Sequence, residues 1–344
     1  MQFKGVEIVC PHCKSDLTDQ RKGDERFFVC QSCNEAFPVV LGIPDLRVFD
    51  DPYNTKEKDR NRGRAIDKEY RKMTFEESLD LYYRLATVVP PDQAQMFKRA
   101  ELAGEARGEA ALNRWESESG GDTRNMTLLD VGCGSASLLA VAAGRYQQVV
   151  GIDIAFRWMV MAKKRLAEKG LQDIPLICAC AEALPFPDES FDRVVAQSVI
   201  EHLRDQEAGV KESYRVLRPG GDFFVGTANR LRFGPDPHIG LWCSGYLPKK
   251  WVASYLERKN IMAPKIHLLS KNDLARLITR NGFEIDKIYL PDISKNQRQQ
   301  FGFMLNRMID AYHFVKRLPV GRQILNGIGP LIHAVAKKRE PAAI

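Results

Sequence analysis

The sequence predicts a doubly wound α/β fold with a mostly parallel sheet, preceded by a small four-cysteine unit and interrupted by helical insertions. Three observations predict it. From Met126 onward, short apolar runs alternate with amphipathic stretches, the pattern of successive βα units. A Gly-x-Gly step, Gly132-Cys133-Gly134, closes the first of those runs. Two Cys-x-x-Cys pairs stand within the first 33 residues. At roughly 150 residues per domain, a chain of 344 residues holds about two domains, or one large domain with an appendage.

Composition narrows the class. Apolar residues at 44% and charged residues at 28% exclude whole-chain disorder, collagen and coiled coil. No apolar run approaches the ~20 residues that cross a bilayer. The opening MQFKGVEIVCPHCK lacks an apolar signal core, so a cytoplasmic location is expected. The net charge of +7 is uneven. From Ser294 onward nine Lys/Arg face Asp310 and Glu340, whereas the preceding residues balance at 42 and 42. Such a local basic segment points to an acidic partner or an anionic surface.

Residues 1–48 form the first predicted unit. Residues 49–121 follow as a charged linker and N-terminal helices. Between 54 and 72, 12 of 19 residues are charged, which reads as a solvated linker or an exposed helix start. Thr74-Phe75-Glu76-Glu77 is a capping-box pattern that opens a helix. Pro90-Pro91-Asp92 starts a second helix towards Trp115, stopped at Gly120-Gly121. The third unit, 122–344, carries the alternating pattern. Strands are expected at 127–131, 148–153, 174–178, 191–197, 222–227, 283–290 and 331–337, with helices at 135–145, 156–169, 205–217 and 270–281. Two excursions, 229–265 and 294–328, interrupt it.

The cysteines read as a metal site. Cys10-Pro-His-Cys13 and Cys30-Gln-Ser-Cys33 give C-x2-C-x16-C-x2-C. Two knuckles bring four thiolates to one tetrahedral Zn²⁺ with no open position, so the site is structural. A 48-residue unit is also too small to hold together well by burial alone. This ribbon, followed by Phe37-Pro-Val-Val-Leu-Gly-Ile-Pro-Asp-Leu46, resembles the small zinc-ribbon proteins that activate methyltransferases, and the ribbons fused to some bacterial methyltransferases. The resemblance covers about 45 residues and implies a stabilising or substrate-facing module.

The cofactor reading starts from Asp130-Val-Gly132-Cys133-Gly134-Ser135. Two glycines let the backbone turn sharply against a ligand, and the helix that follows favours negative charge at its start. Asp153 ends the second strand, where a carboxylate can accept both ribose hydroxyls. A dinucleotide fingerprint needs a third glycine, and Ser137 stands there. Asp130 would repel a pyrophosphate but attract an ammonium or a sulfonium.

With Gly151-Ile-Asp153, Ala181-Glu-Ala-Leu-Pro185-Phe-Pro-Asp-Glu-Ser-Phe191-Asp192, Val199-Ile-Glu-His202 and Arg215-Val-Leu-Arg-Pro219-Gly-Gly221, residues 126–228 resemble the Rossmann-like class I S-adenosylmethionine-dependent methyltransferases, in the quinone and small-molecule branch. The resemblance implies that Gly132, Cys133 and Gly134 line the amino acid portion of S-adenosylmethionine, with Asp130 supporting that loop. It implies that Asp153 takes the ribose hydroxyls, Ile154 packs on the adenine, and Ala181 and Glu182 border it. Gln197 then lies beneath the sulfonium. Two positions depart from the family: Ala136 where it has Gly, and Cys180 where it has Asp. The second is expected to weaken or re-aim a contact to the adenine amino group.

Transfer from a sulfonium is an in-line displacement, so positioning and, for a hydroxyl, proton removal remain for the protein. His202, just past the fourth strand, and His238, on the first excursion, are candidate general bases; for each the plainer reading is a histidine held by local structure. Amino methylation of nucleic acid bases resembles a family with Asp/Asn-Pro-Pro-aromatic where this chain has Gln197-Ser-Val-Ile200. Cytosine five-position methylation needs a Pro-Cys step, which is absent. The excursions are expected to build the acceptor pocket, with Phe233, Trp242, Tyr246 and Trp251 in the first. In the second, Phe301, Leu305, Met308, Tyr312 and Val315 recur at helical spacing beside basic residues. That segment is expected to pack on the sheet as a lid; the alternative is an anionic membrane surface. The leading expectation is methyl transfer to a small-molecule or lipid- or glycan-linked acceptor, at oxygen. An RNA methyltransferase that grips phosphates with ribbon and tail, and a non-catalytic cofactor-binding scaffold, stay open. The oligomeric state is not legible.

Overall fold

The computed structural model describes residues 1–70, 72–85, 91–234, 236, 239–259, 261, 263, 265–291, 298 and 302–340, with the backbone alone for 91–93 and 305. His238 and Phe301, and the side chain of Leu305, lie outside the described residues.

The N-terminal unit is all β. A hairpin, β1 (Gln2–Phe3) and β2 (Val6–Glu7), precedes a four-stranded antiparallel sheet of β3 (Leu17–Lys22), β4 (Glu25–Cys30), β5 (Ala36–Val40) and β6 (Ile43–Pro44). Four helices follow: α1 (Lys56–Tyr70), α2 (Phe75–Leu85), α3 (Pro91–Leu102) and α4 (Gly104–Ser119). The Thr74–Glu77 capping box forms in both directions, with Glu77 N donating to Thr74 Oγ1 and Thr74 N to Glu77 Oε2. The single helix expected from Pro91 is two. They part at Ala103, and the second begins at Gly104, which lies so close to Ser137 that a Cβ would be 2.7 Å from its side chain.

The α/β part then runs β7 (Thr127–Val131), α5 (Ser137–Ala142), β8 (Gln148–Asp153), α6 (Phe156–Glu168), β9 (Leu176–Cys178), β10 (Phe191–Gln197), α7 (Gln206–Val216), β11 (Leu217–Ala228), α8 (Lys249–Lys259), α9 (Lys271–Arg280), β12 (Phe283–Tyr289), α10 (Phe303–Arg317), α11 (Pro319–Ile328) and β13 (Leu331–Lys338). Seven strands form one sheet in the order β9-β8-β7-β10-β11-β13-β12. Only β13 runs antiparallel to its neighbours. The strand order reverses between β7 and β10, and ligands of such sheets sit outside the carboxyl ends at that point.

Alternate residues of each strand feed two cores. Leu129, Val150, Ile177, Val194 and Phe223 meet α7, α9 and the N-terminal unit, including Phe28 and Leu46. Leu128, Val149, Leu176, Val195 and Phe224 meet the helices of the other face, with Trp115 fully buried and stacked on Phe224. Burial on both faces is what makes the inner strands nearly continuous apolar runs.

The N-terminal unit does not stand apart. Asp45 bridges Cys178 in parallel and Leu46 N donates to Cys178 O at 2.8 Å, so its exit strand extends the edge of the seven-stranded sheet. The charged stretch 54–72 takes the helical of its two expected forms but is not wholly exposed. It is helix α1, and Asp59, Gly63, Ile66, Asp67 and Tyr70 point inward from it. A Cβ at Gly63 would lie 2.6 Å from the Phe156 ring, which is how α1 lies flat on α6. Helical spacing gathered the few inward positions on one side, and the charged majority hid them.

Candidate active site

A cleft of about 450 Å³ opens at the carboxyl ends of β7, β8 and β10. Asp130, Gly132, Cys133, Gly134, Asp153, Ile154, Ala181, Glu182 and Gln197 all line it, as does His202. The geometry of the turn explains its glycines. Gly132 takes φ +71°, and a Cβ there would lie 2.2 Å from the Val199 side chain. Gly134 also takes positive φ and donates its amide to Asp153 Oδ2 at 3.0 Å, while Ala155 N donates to Oδ1 at 2.7 Å. The turn after β7 is thus tied to the end of β8. Ala136 takes φ +62° at the start of α5, so the position where the family carries glycine retains the left-handed backbone at a cost of about 1 kcal/mol.

Two carboxylates face this turn from inside. Asp130 is buried and accepts no hydrogen bond from the described residues; burial, with Asp153 nearby, holds its carboxyl well above the usual range. Burial also pushes Asp153 up to about 6, against the two backbone amides that favour its charge. A buried carboxyl beside a half-buried one suits a cationic ligand that neutralises them.

The walls come from residues that spacing did not mark. Phe49, Pro52 and Tyr53 close one side, Glu101, Gly104 and Arg107 another. The first wall is strapped down by a buried charge group. Arg47 holds Asp45 through two bonds of 2.7 Å and Asp59 at 2.8 Å, and donates to Ile154 O. Arg157 reaches Asp59 at 2.7 Å and Asp51 at 3.2 Å. Asp51 in turn accepts from Tyr53 N and Asn54 N. On the second wall, Ser135 Oγ donates to Glu101 Oε2 and accepts from Arg165. No local pattern announces these pairings, because the partners are 12 to 98 positions apart.

Cys180 does not enter the cleft. Its thiol is buried and directed at Phe49 O, 3.9 Å away, in keeping with a weakened contact at the position where the family carries Asp. A second cleft, of about 910 Å³, shares Phe49, Pro52, His202, Leu203 and Arg204 with the first and adds Lys56, Lys265 and His267. His267 N donates to Glu201 O at 2.7 Å, and Gln206 Nε2 bridges Ile200 O and His267 O. The expected aromatic acceptor pocket is not formed: Phe233, Trp242, Tyr246 and Trp251 are exposed and line neither cleft. Nor does the α10–α11 pair cover the cleft.

Outside the linings of both clefts, the Sγ atoms of Cys10, Cys13, Cys30 and Cys33 lie within 4.8 Å of one another. Cys10 and Cys33 are 3.6 Å apart, Cys13 and Cys30 3.4 Å. Bonds of about 2.3 Å to a tetrahedral zinc place sulfurs about 3.8 Å apart, so the donor set fits such an ion. Two equivalent knuckles set it up: Lys14 N donates to Cys10 O and Asn34 N to Cys30 O, with Lys14 and Asn34 both near φ +60°.

Fold and cleft define a doubly wound α/β protein with a ligand site at the topological switch point of its sheet. A family profile described as a methyltransferase domain matches residues 129–225. The demethylmenaquinone methyltransferase of Bacillus velezensis is 30% identical over 161 residues, covering 45% of this chain and 69% of that one. The ubiquinone biosynthesis O-methyltransferase of Idiomarina loihiensis is 38% identical over 132 residues, covering 38% and 51%. The phosphoethanolamine N-methyltransferase 2 of Haemonchus contortus, solved with S-adenosyl-L-methionine, aligns at a TM-score of 0.47 and 19% identity, covering 68% of this chain and 53% of that one. The chain belongs to the class I S-adenosylmethionine-dependent methyltransferases. It spans about half the length or less of the first curated relatives it matches.

Proposed function

We propose that the chain transfers a methyl group from S-adenosylmethionine to a small-molecule or lipid- or glycan-linked acceptor, at a hydroxyl oxygen. One observation carries the reading: buried Asp130 and half-buried Asp153 at a glycine turn, in a cleft that shares His202 with a second one. S-adenosylmethionine, when bound, supplies a methyl group already activated for displacement. Asp130 offsets its positive charge across the turn of Gly132, Cys133 and Gly134. Asp153, fixed by two backbone amides, keeps lone pairs for ribose hydroxyls. Ile154, Ala181 and Glu182 flank the base, and Gln197 lies near the reacting centre. His202 borders both clefts and is the proposed general base, taking the hydroxyl proton as the oxygen attacks; a well-placed base contributes about 10²–10⁴ in rate. Lys56, Arg204 and Lys265 outnumber Asp50 and Asp51 in the lining of the second cleft, which favours an acceptor with acidic groups. The four cysteines are proposed to hold one structural zinc, which stiffens the unit whose exit strand extends the main sheet.

A transfer assay tests this. The purified chain is incubated with methyl-labelled S-adenosylmethionine and a cell extract separated into lipid, small-molecule, RNA and protein fractions. Label in the lipid or small-molecule fraction is expected. Label confined to RNA would transfer the reading to an RNA methyltransferase, and cofactor binding with no label in any fraction would make the chain a scaffold.

A further inference from the structure

Helices α10 and α11 are attached on one side only. Ile309 is buried, Tyr312 Oη donates to Pro291 O at 3.0 Å, and Lys316 Nζ donates to Leu290 O at 2.8 Å. Gly321 fits against Val315 so tightly that a Cβ would lie 2.2 Å from its carbonyl oxygen. The opposite side is apolar and open to solvent. Met304 is 80% exposed, Phe303 76%, Val320 68% and Phe314 63%, with Met308 and Ile324 above half. The apolar surface continues past the helices. Phe233 N donates to Ile328 O at 2.7 Å, bringing the exposed Phe233 and Trp242, packed edge to face, against the end of α11. Contiguous apolar faces of this kind mark an interaction site.

The chemistry beside that face names the partner. Between α4, β12 and the two helices lies a cleft of about 570 Å³ lined by Arg114, Lys287, His313, Lys316, Arg317 and Arg322, with no carboxylate in its lining. Lys287 is paired with Glu118 at 2.9 Å. Arg317 and Arg322 are exposed and meet no carboxylate among the described residues. Aliphatic side chains exposed beside uncompensated cations match a layer that is apolar within and anionic at its surface. Two copies of this face would bring like charges together. A phosphate-gripping RNA surface gives no reason to expose Met304, Val320 and Ile324.

We propose that the outer face of α10 and α11 docks on an anionic phospholipid bilayer, with a lipid phosphate held in the cleft of Arg317 and Arg322. The proposal does not rest on the methyl-transfer reading, since docking and cofactor binding are measured separately.

The test uses the full chain and sedimentation with phosphatidylcholine vesicles, with and without phosphatidylglycerol, across salt concentrations. Binding to the anionic vesicles alone, weakening as salt rises, is expected. With both cations reversed, Arg317→Glu/Arg322→Glu is expected to bind at least about thirtyfold more weakly, taking each lost cation at its usual surface contribution. Met304→Glu/Phe314→Glu should lose binding with cofactor affinity intact. No sedimentation of the wild-type chain with anionic vesicles at low salt would overturn the proposal, whatever the variants do. So would undiminished binding in either folded double variant, or capture by a homopolymeric RNA in preference to the vesicles.

Discussion

Asp59→Asn is expected to destabilise the fold by about 3 to 5 kcal/mol. Asp59 is fully buried and accepts from Arg47 at 2.8 Å, Arg157 at 2.7 Å and Phe156 N at 2.6 Å. The amide keeps the shape but removes the charge. Arg47 and Arg157, also buried, are then left with only Asp45 and Asp51 as anions, and the helix start at Phe156 loses its carboxylate. Removing one member of a buried charge group usually costs about 3–5 kcal/mol, because the remaining charge stays desolvated without its partner. With a urea slope of about 3 kcal/mol per molar, the unfolding midpoint falls by roughly 1 to 2 M. The comparison variant is Asp19→Asn, whose bond to Arg26 lies at the surface and is worth about 1 kcal/mol at most. Circular dichroism through a urea titration reads both. Cofactor affinity should fall with Asp59→Asn as well, because the same group anchors the Phe49–Tyr53 wall. A midpoint shift no larger than that of Asp19→Asn would refute the reasoning.

Three further outcomes are expected. Cofactor affinity should fall about tenfold per pH unit below about 6 and level off above it: burial raises the Asp153 carboxyl to about 6, so acid protonates it and removes the carboxylate that accepts from the ribose hydroxyls, and a flat titration calorimetry profile from pH 5 to 8 would contradict this. His202→Ala should lower kcat by about 10²-fold or more with little change in cofactor Kd; equal losses in both would make His202 a structural residue. Elemental analysis should find one zinc per chain, and chelation or Cys30→Ser should lower Tm and loosen the edge at Asp45–Cys178; a metal-free chain with unchanged Tm would remove zinc from the account.

What could be read locally was legible in the sequence. The strands and helices of 126–228 follow from alternation of apolar and amphipathic stretches, and the helix expected at 270–281 forms with Ser270 as its cap. The glycine turn was legible because positive φ and close approach leave few residue choices, and the cysteine cluster because a knuckle is a short-range structure. The cleft walls were not. Phe49, Tyr53, Arg107 and His267 reach the clefts only through pairings such as Arg47–Asp59 and His267–Glu201. The helix at 56–70 read as solvated because its charges outnumber its inward side chains, and burial of a charge depends on a partner that sequence proximity does not supply. Cys180 and the aromatics of the first excursion stand on the right elements but point away from the cleft. A residue's place along the chain follows from local physical chemistry; the direction its side chain faces is decided by what packs against it.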